Sequence, residues 1–495
     1  MAEIQLVDVS LRDGNQSLWS ATGLNSAQML QIAPVIDRIG FKAIDFSSST
    51  HMGMGVRTFA DNPWERFRLM RDAMPNTPMQ FIGTGFRFYS WETQHPEFMQ
   101  LVYDRLVECG VTRFVVLDPM HDEDALMTSA AQLRKAGATD VMGALTFTLS
   151  DVHDDVYYAD LAAKMAASPN FDTVYLKDPS GLLTPQRAST LIPALKQRMQ
   201  GKPLEIHSHT TIGLGAISSL EAAGLGVTAV HVATGPLSNG SSLPDAQRMV
   251  SNLREFGHSV DIDEFALTQY ADYMRQLARA EGLPFGQPQD FDAAFFRHQV
   301  AGGVMSTTRR QLRELGLEHR FDDVMAEVPR VRAELGYPIV VTPFAQMLCT
   351  QAMYNVIQPE RYQTVPDQVT RYVLGKFGRA TAPIDPNVMD RIMALPSASD
   401  ITREPPPQPL AETRRKFSPR LSDEEFLLRA VMPAEQVDAM VAKGPARRRY
   451  NPWATPIVKL VEGLGQRPAL RELQIQKSGL DIRLESSGEN AHVVN

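Results

Sequence analysis

The sequence predicts an α/β protein built on a closed (β/α)8 TIM barrel, and three observations lead there. Eight short apolar runs alternate with helical stretches from the N-terminus to about residue 235. Residues able to do chemistry fall where several of those runs end: Asp13, Asp118, Lys177, His207 and His209. The glycine-rich turn that an open dinucleotide-binding sheet places after its first strand is missing.

The runs are residues 4–9, 42–47, 79–84, 113–117, 141–149, 173–177, 204–207 and 229–233. Helices are predicted between them at 26–39, 63–73, 96–109, 124–136, 157–167, 185–198 and 216–223. A barrel places its active site at the C-terminal strand ends, so candidates from strands 1, 4, 6 and 7 would meet around one axis. The barrel domain is assigned to residues 1–300. Beyond it the alternation stops, and 305–315, 322–335, 343–354 and 366–377 read as helices, which gives a helical domain over 301–402. Residues 403–452 read as a connector, because Arg403 to Pro409 run Arg-Glu-Pro-Pro-Pro-Gln-Pro. It includes a short helix at 422–430, with Ser422 as N-cap and Glu425 completing a capping box. The tail, 453–495, reads as an amphipathic helix at 455–464 and a hairpin of 470–475 and 480–484 around Lys477-Ser478-Gly479. Such a unit buries little, so the tail is expected to dock on this chain or on another subunit.

The bulk properties narrow the class. A chain of 495 residues with 43% apolar and 21% charged residues has the composition of a soluble globular protein of two or three domains. A net charge of -8, with Arg447-Arg448-Arg449 as the longest basic run, argues against a nucleic-acid partner. Only Cys109 and Cys349 are present, far apart, which predicts reduced thiols in a cytoplasmic protein without thiolate metal sites. No leader pattern or bilayer-length apolar run is seen, so no membrane span is expected.

His207 and His209 lie two residues apart in Leu-Glu-Ile-His-Ser-His-Thr, and residues i and i+2 of a strand face one side. Neutral imidazole is a common ligand of divalent transition metals. Two satisfied core histidines would read the same way, so Asp13 and Lys177 carry the added weight. A protonated lysine has no lone pair for a metal, whereas its carbamate offers an anionic oxygen. The plain alternative for Lys177 is an ion pair with Asp178.

At these positions the sequence resembles the biotin-dependent carboxyltransferases: the pyruvate carboxylase carboxyltransferase domain, the oxaloacetate decarboxylase alpha subunit and the transcarboxylase 5S subunit. The matching stretches are Leu11 to Ser17 (Leu-Arg-Asp-Gly-Asn-Gln-Ser), Asn62-Pro63-Trp64-Glu65-Arg66, Leu176 to Pro185 (Leu-Lys-Asp-Pro-Ser-Gly-Leu-Leu-Thr-Pro) and His207-Ser208-His209. Ala326 to Arg332, Leu335-Gly336-Tyr337-Pro338, Thr342-Pro343, Gly378-Arg379 and Pro383-Ile384-Asp385-Pro386 resemble that family's helical conserved carboxylase domain. The likeness runs in order over roughly residues 1–445.

The resemblance implies that Asp13, N6-carboxylated Lys177, His207 and His209 hold a divalent metal of the Zn, Mn or Co class. It implies that Arg12 and Gln16 contact the substrate's carboxylate or carbonyl. CO2 would pass between carboxybiotin and the metal-stabilised enolate of a 2-oxoacid or related carbonyl compound. Ser241 stands where the family's proton-relaying Thr is expected. No biotinylation motif occurs, so biotin would arrive on a separate carrier protein, with a biotin carboxylase subunit and a homodimer or larger complex as expected partners. The tail is read as a docking element for one of those subunits.

The substrate pocket departs from the pyruvate-using pattern. Thr84 replaces the family's carboxylate-binding Arg and Trp91 its Tyr, while Ser49-Thr50-His51-Met52 lacks the acid expected after strand 2. Arg87 or Arg57 would have to take over carboxylate binding; otherwise a larger or less acidic substrate is favoured over pyruvate. Two other readings stay open, besides a decarboxylase that needs no biotin. One is an aldol or Claisen enzyme of the same barrel superfamily, against which Lys177 and the absence of a Cys near Ser241 count. The other is a non-catalytic scaffold subunit of a carboxylase assembly.

Overall fold

In the computed structural model, which describes residues 3–89, 92–450, 472–477, 480–486 and 491–492, the eight runs close into a parallel barrel in chain order. The strands are β1 Gln5–Asp8, β2 Ala43–Ser48, β3 Met79–Thr84, β4 Arg113–Leu117, β5 Asp140–Thr146, β6 Thr173–Asp178, β7 Leu204–Ser208 and β8 Ala229–Val232. Strand β8 returns to β1 with Leu6 opposite Val230 and Asp8 opposite Val232. The strands are buried on both faces nearly throughout, which is why they appear as continuous rather than alternating apolar runs.

The sequence places β5 three residues too long, because Thr148 and Leu149 turn away to meet the helical region. The Thr148 hydroxyl donates to Gln299 Oε1 (2.9 Å), and Arg332 Nη1 donates to the Leu149 carbonyl (2.6 Å). One helix absent from the sequence reading, Ser49–Phe59, follows β2 directly, and the Ser48 hydroxyl accepts from His51 N at its start. Gly53 and Gly55 obscure its periodicity, yet both are required by packing. A Cβ on Gly53 would lie 2.7 Å from the Tyr89 ring, and one on Gly55 3.1 Å from the Arg66 guanidinium. After β8, two further helices, Ala246–Glu255 and Glu264–Glu281, complete the outer layer.

The four expected helices of the second region appear as Gly302–Glu314, Phe321–Glu334, Phe344–Ile357 and Asp367–Val373, followed by Pro386–Met393 and Pro396–Thr402. They share a core that includes Val324, Val328, Val331, Phe344, Leu348 and Tyr372. Residues 403–448 hold three helices rather than one: Leu410–Arg415, Asp423–Val431 and Ala434–Lys443. Ser422 Oγ accepts from Glu425 N (3.2 Å) as expected, but the capping box is only half formed, since the Glu425 carboxylate pairs with Arg429 Nε (2.8 Å). This segment packs on the barrel. The Trp64 indole donates to the Glu424 carbonyl (3.2 Å), and Lys443 Nζ donates to Asp61 Oδ1 (2.7 Å).

The chain divides into two units, 1–448 and 449–495. In the second, β9 Glu472–Lys477 and β10 Leu480–Ser486 form the expected antiparallel hairpin, Lys477 opposite Leu480, with a short β11, Ala491–His492, beside β10. The helix predicted at 455–464 lies outside the described residues. Both cysteines are free and buried, and burial pushes their thiols up, Cys109 to about 11 and Cys349 to about 12. No helix among the described residues is long and apolar enough to cross a membrane.

Candidate active site

The C-terminal mouth of the barrel brings four of the predicted residues to one buried point. Asp13 lies in a π-helical turn, Ser10–Gly14, that leaves β1 and is sealed by buried side chains. The turn is fastened by Asp8, whose carboxylate accepts from Ser10 N (3.0 Å) and from the Thr234 hydroxyl (2.7 Å). Lys177 comes from β6 and His207 from β7, while His209 follows the end of β7. Asp13 Oδ2 is 3.1 Å from His207 Nε2 and 3.3 Å from Lys177 Nζ, and Asp13 Oδ1 is 3.6 Å from His209 Nε2. The two histidine Nε2 atoms are 3.1 Å apart, and Lys177 Nζ stands 2.9 Å from His207 Nε2. The potential ligand atoms of Asp13, His207 and His209 all lie within 4.8 Å of one another.

The electrostatics suit a divalent cation. Burial favours a protonated Asp13, but Arg12 and Lys177 outweigh it and hold the carboxyl well below the usual range, so it is anionic. Burial, aided by the Lys177 ammonium, holds His207 well below its ordinary value and keeps the imidazole neutral. Burial also lowers Lys177, against the pull of Asp13, toward the neutral amine that reacts with CO2. Two imidazoles, a carboxylate and a lysine side chain converging in a buried pocket match the nitrogen and oxygen preferences of first-row divalent ions. His209 is aimed by the Ser241 backbone, because its Nδ1 donates to the Ser241 carbonyl at 2.7 Å.

The remaining predicted residues are placed as follows. Arg12 is 4% exposed, and its guanidinium bridges two carboxylates. Its Nη1 meets Asp13 Oδ2 at 2.8 Å, and its Nε donates to Asp45 Oδ2 at 2.8 Å, with Nη2 on the same oxygen. Gln16 is exposed on the short helix Asn15–Trp19, and Thr84 is half-buried at the end of β3. The Ser241 hydroxyl donates to the Ser17 carbonyl at 2.9 Å. Asp118 is buried just past β4, where its Oδ1 accepts from Met120 N (2.8 Å) and Asp122 N (3.1 Å). Burial raises its pKa although Arg87 opposes.

Arg87 stands apart from the metal-ligand cluster. Its Nη1 is 3.6 Å from Asp118 Oδ2, and its Nη2 donates to the Phe377 carbonyl (3.0 Å) in the helical region. Arg87, Asp118, Lys376 and Phe377 line a cavity of about 360 Å³ between barrel rim and helices. Arg57 is exposed on its helix, and Trp91 lies outside the described residues.

Three residues near the site were missed by the sequence reading. Asp45 is a carboxylate inside the apolar run Ile44-Asp45-Phe46, a signal that could have found it. His51 is buried, its Nδ1 3.0 Å from Ser48 Oγ, and burial together with the Arg12 charge pushes its pKa down to about 3. His231, on β8, has its Nδ1 3.4 Å from His207 Nδ1.

Comparison with known proteins agrees with the fold. The profile of the conserved carboxylase domain matches residues 295–466. The chain is 32% identical over 391 residues to a pyruvate carboxylase subunit of Methanocaldococcus jannaschii, covering 79% of this chain and 68% of that protein. It is 30% identical over 441 residues to the methylmalonyl-CoA carboxyltransferase 5S subunit of Propionibacterium freudenreichii, covering 87% and 86%. The carboxyl transferase domain of Rhizobium etli pyruvate carboxylase, solved with pyruvate, superposes with a TM-score of 0.79 at 20% identity, over 98% of this chain and 84% of that one. Relatives at 30% identity or more, matched over two thirds or more of their length, place the chain in the family of biotin-dependent carboxyltransferases, to which it belongs.

Proposed function

We propose that this chain moves a carboxyl group between a biotin carried on a separate protein and a small carbonyl acceptor. Asp13, His207, His209 and N6-carboxylated Lys177 would hold a divalent metal of the Zn, Mn or Co class. The observation that carries the reading is the convergence of those four side chains on one buried point. A divalent ion held there supplies Lewis-acid stabilisation to an oxygen that gains negative charge when the acceptor loses an α proton.

The chain's own residues supply the rest. Arg12, fixed by Asp45, presents a cation beside Asp13, and Gln16 and Thr84 are assigned the acceptor contacts with it. Ser241 is assigned the proton relay, which requires its hydroxyl to leave the Ser17 carbonyl. Asp118 and Arg87 pair at the rim, so the carboxylate-binding role considered for Arg87 is not part of this reading. A carrier protein, a biotin carboxylase subunit and a homodimeric or larger assembly in the cytoplasm complete it.

The test is decarboxylation of oxaloacetate by the purified, metal-loaded chain with and without free biotin, followed by other 2-oxoacids and acyl thioesters. Biotin-stimulated turnover of one of these is expected. Folded, metal-loaded protein without biotin-dependent turnover of any of them would overturn the proposal.

A further inference from the structure

Behind the metal-ligand cluster lies a second row of buried polar groups that the carboxyl transfer does not use. His207 turns its Nε2 toward Asp13 and His209, and its other nitrogen, Nδ1, faces His231 Nδ1 at 3.4 Å. The far nitrogen of His231, Nε2, is 3.1 Å from Glu205 Oε2. The other carboxylate oxygen, Glu205 Oε1, accepts from Arg113 Nη2 (2.6 Å) and from Lys42 Nζ (2.7 Å). Strand geometry builds this row. Glu205 and His207 point to the same side of β7, and the register sets Ile206 beside Val230, which brings His231 alongside His207. Glu205, His207 and His231 are all 0% exposed, and the Tyr175 ring packs on both imidazoles, at 5.6 Å from His207 and 4.9 Å from His231.

Neutral imidazole has one donor and one acceptor, so the row can be satisfied in one sense only when His207 offers a lone pair from Nε2. The His207 proton then sits on Nδ1 and is donated to His231 Nδ1. The His231 proton consequently sits on Nε2 and is donated to the Glu205 carboxylate. Arg113 and Lys42 keep that carboxylate anionic and in place. The arrangement extends the carboxylate–histidine–metal pattern, in which an outer partner fixes the tautomer and ring orientation of a ligand, by one imidazole.

We propose that His231 and Glu205 are positioning residues for the metal-ligating face of His207, setting the affinity of the site for its divalent ion. The inference rests on the metal reading above but not on the identity of the acceptor. His209 needs no such row, because a backbone carbonyl already fixes its Nδ1–H.

The experiment is a chelator-competition titration of Zn2+ and of Co2+ on the full-length protein, with the Co2+ absorption spectrum recorded alongside. His231→Leu keeps bulk and removes both hydrogen bonds, and its affinity is expected to fall by about 10- to 100-fold with an altered Co2+ spectrum. His231→Gln restores an acceptor toward His207 and a donor toward Glu205, and is expected to recover most of the loss. A folded His231→Leu protein with wild-type affinity and an unchanged spectrum would overturn the proposal. Should the leucine variant not fold, 15N imidazole shifts of the Zn2+-loaded wild-type protein decide. The Nδ1–H tautomer at His207 with the Nε2–H tautomer at His231 is expected, and any other pair overturns the row. A protein that takes up no ion would instead refute the metal reading, so the two failures are distinguishable.

Discussion

Arg12 is the residue on which the two carboxylates at the barrel mouth converge, and it shows how one side chain can hold a site together. Asp13 alone would leave part of a buried guanidinium unpaired; Asp45 supplies the second carboxylate. Replacing Asp45 by Ala is expected to cost about 3–5 kcal/mol in urea unfolding, because it strands a buried charge, and to weaken metal uptake through the freed Arg12. Asp45→Asn, which keeps the shape, should lose less. Lys177, His207 and His209 were legible because strand alternation and barrel closure fix where such residues end up, and Asp13 because it follows the end of the first strand. Arg87 was not, since its direction depends on a carbonyl 290 positions away in the chain, and no local pattern encodes that contact.

At the level of elements, the helix Asp423–Val431 illustrates what a cap reveals and what it conceals. Ser422 marks where the helix starts, but its docking face depends on residues from the barrel's outer helices. Phe426 is fully buried and meets the Phe98 ring at 6.2 Å, while Glu424 pairs with Arg68, a side chain 39% exposed. Phe426→Ala is therefore expected to cost about 3–5 kcal/mol, and Glu424→Ala about 1 kcal/mol or less, both read from chemical denaturation. A reversal of that order would mean that the ion pair, rather than the apolar face, fastens the segment. The helix Ser49–Phe59 escaped notice for the opposite reason. Its glycines make room for Tyr89 and Arg66, and close packing erased the periodicity by which a helix is recognised.

For the molecule as a whole, the barrel count was legible because eight apolar runs separated by helices admit few topologies. The seating of the helical region was not, since it rests on single contacts between distant residues. Arg332 reaches the Pro338 and Leu149 carbonyls and the Thr148 hydroxyl, tying β5's outgoing loop to the helical region. A metal held by the proposed ligands would join the turn after β1 to β6 and to β7 and its outgoing loop, so its removal should be felt globally. Exhaustive chelation is expected to lower the thermal midpoint by several degrees, reversibly on reloading. An ion present at a thousandfold its dissociation constant contributes about 4 kcal/mol. An unchanged midpoint would show that Asp13, His207 and His209 are held in place without it. The two cysteines have a practical consequence of another kind. Because Cys109 and Cys349 are enclosed and their thiols are held as the unreactive acid at neutral pH, the surface is blank to maleimides. One introduced surface cysteine would then carry a fluorophore to a chosen address, so that a carrier protein's arrival can be followed by energy transfer without first stripping the native sulfurs.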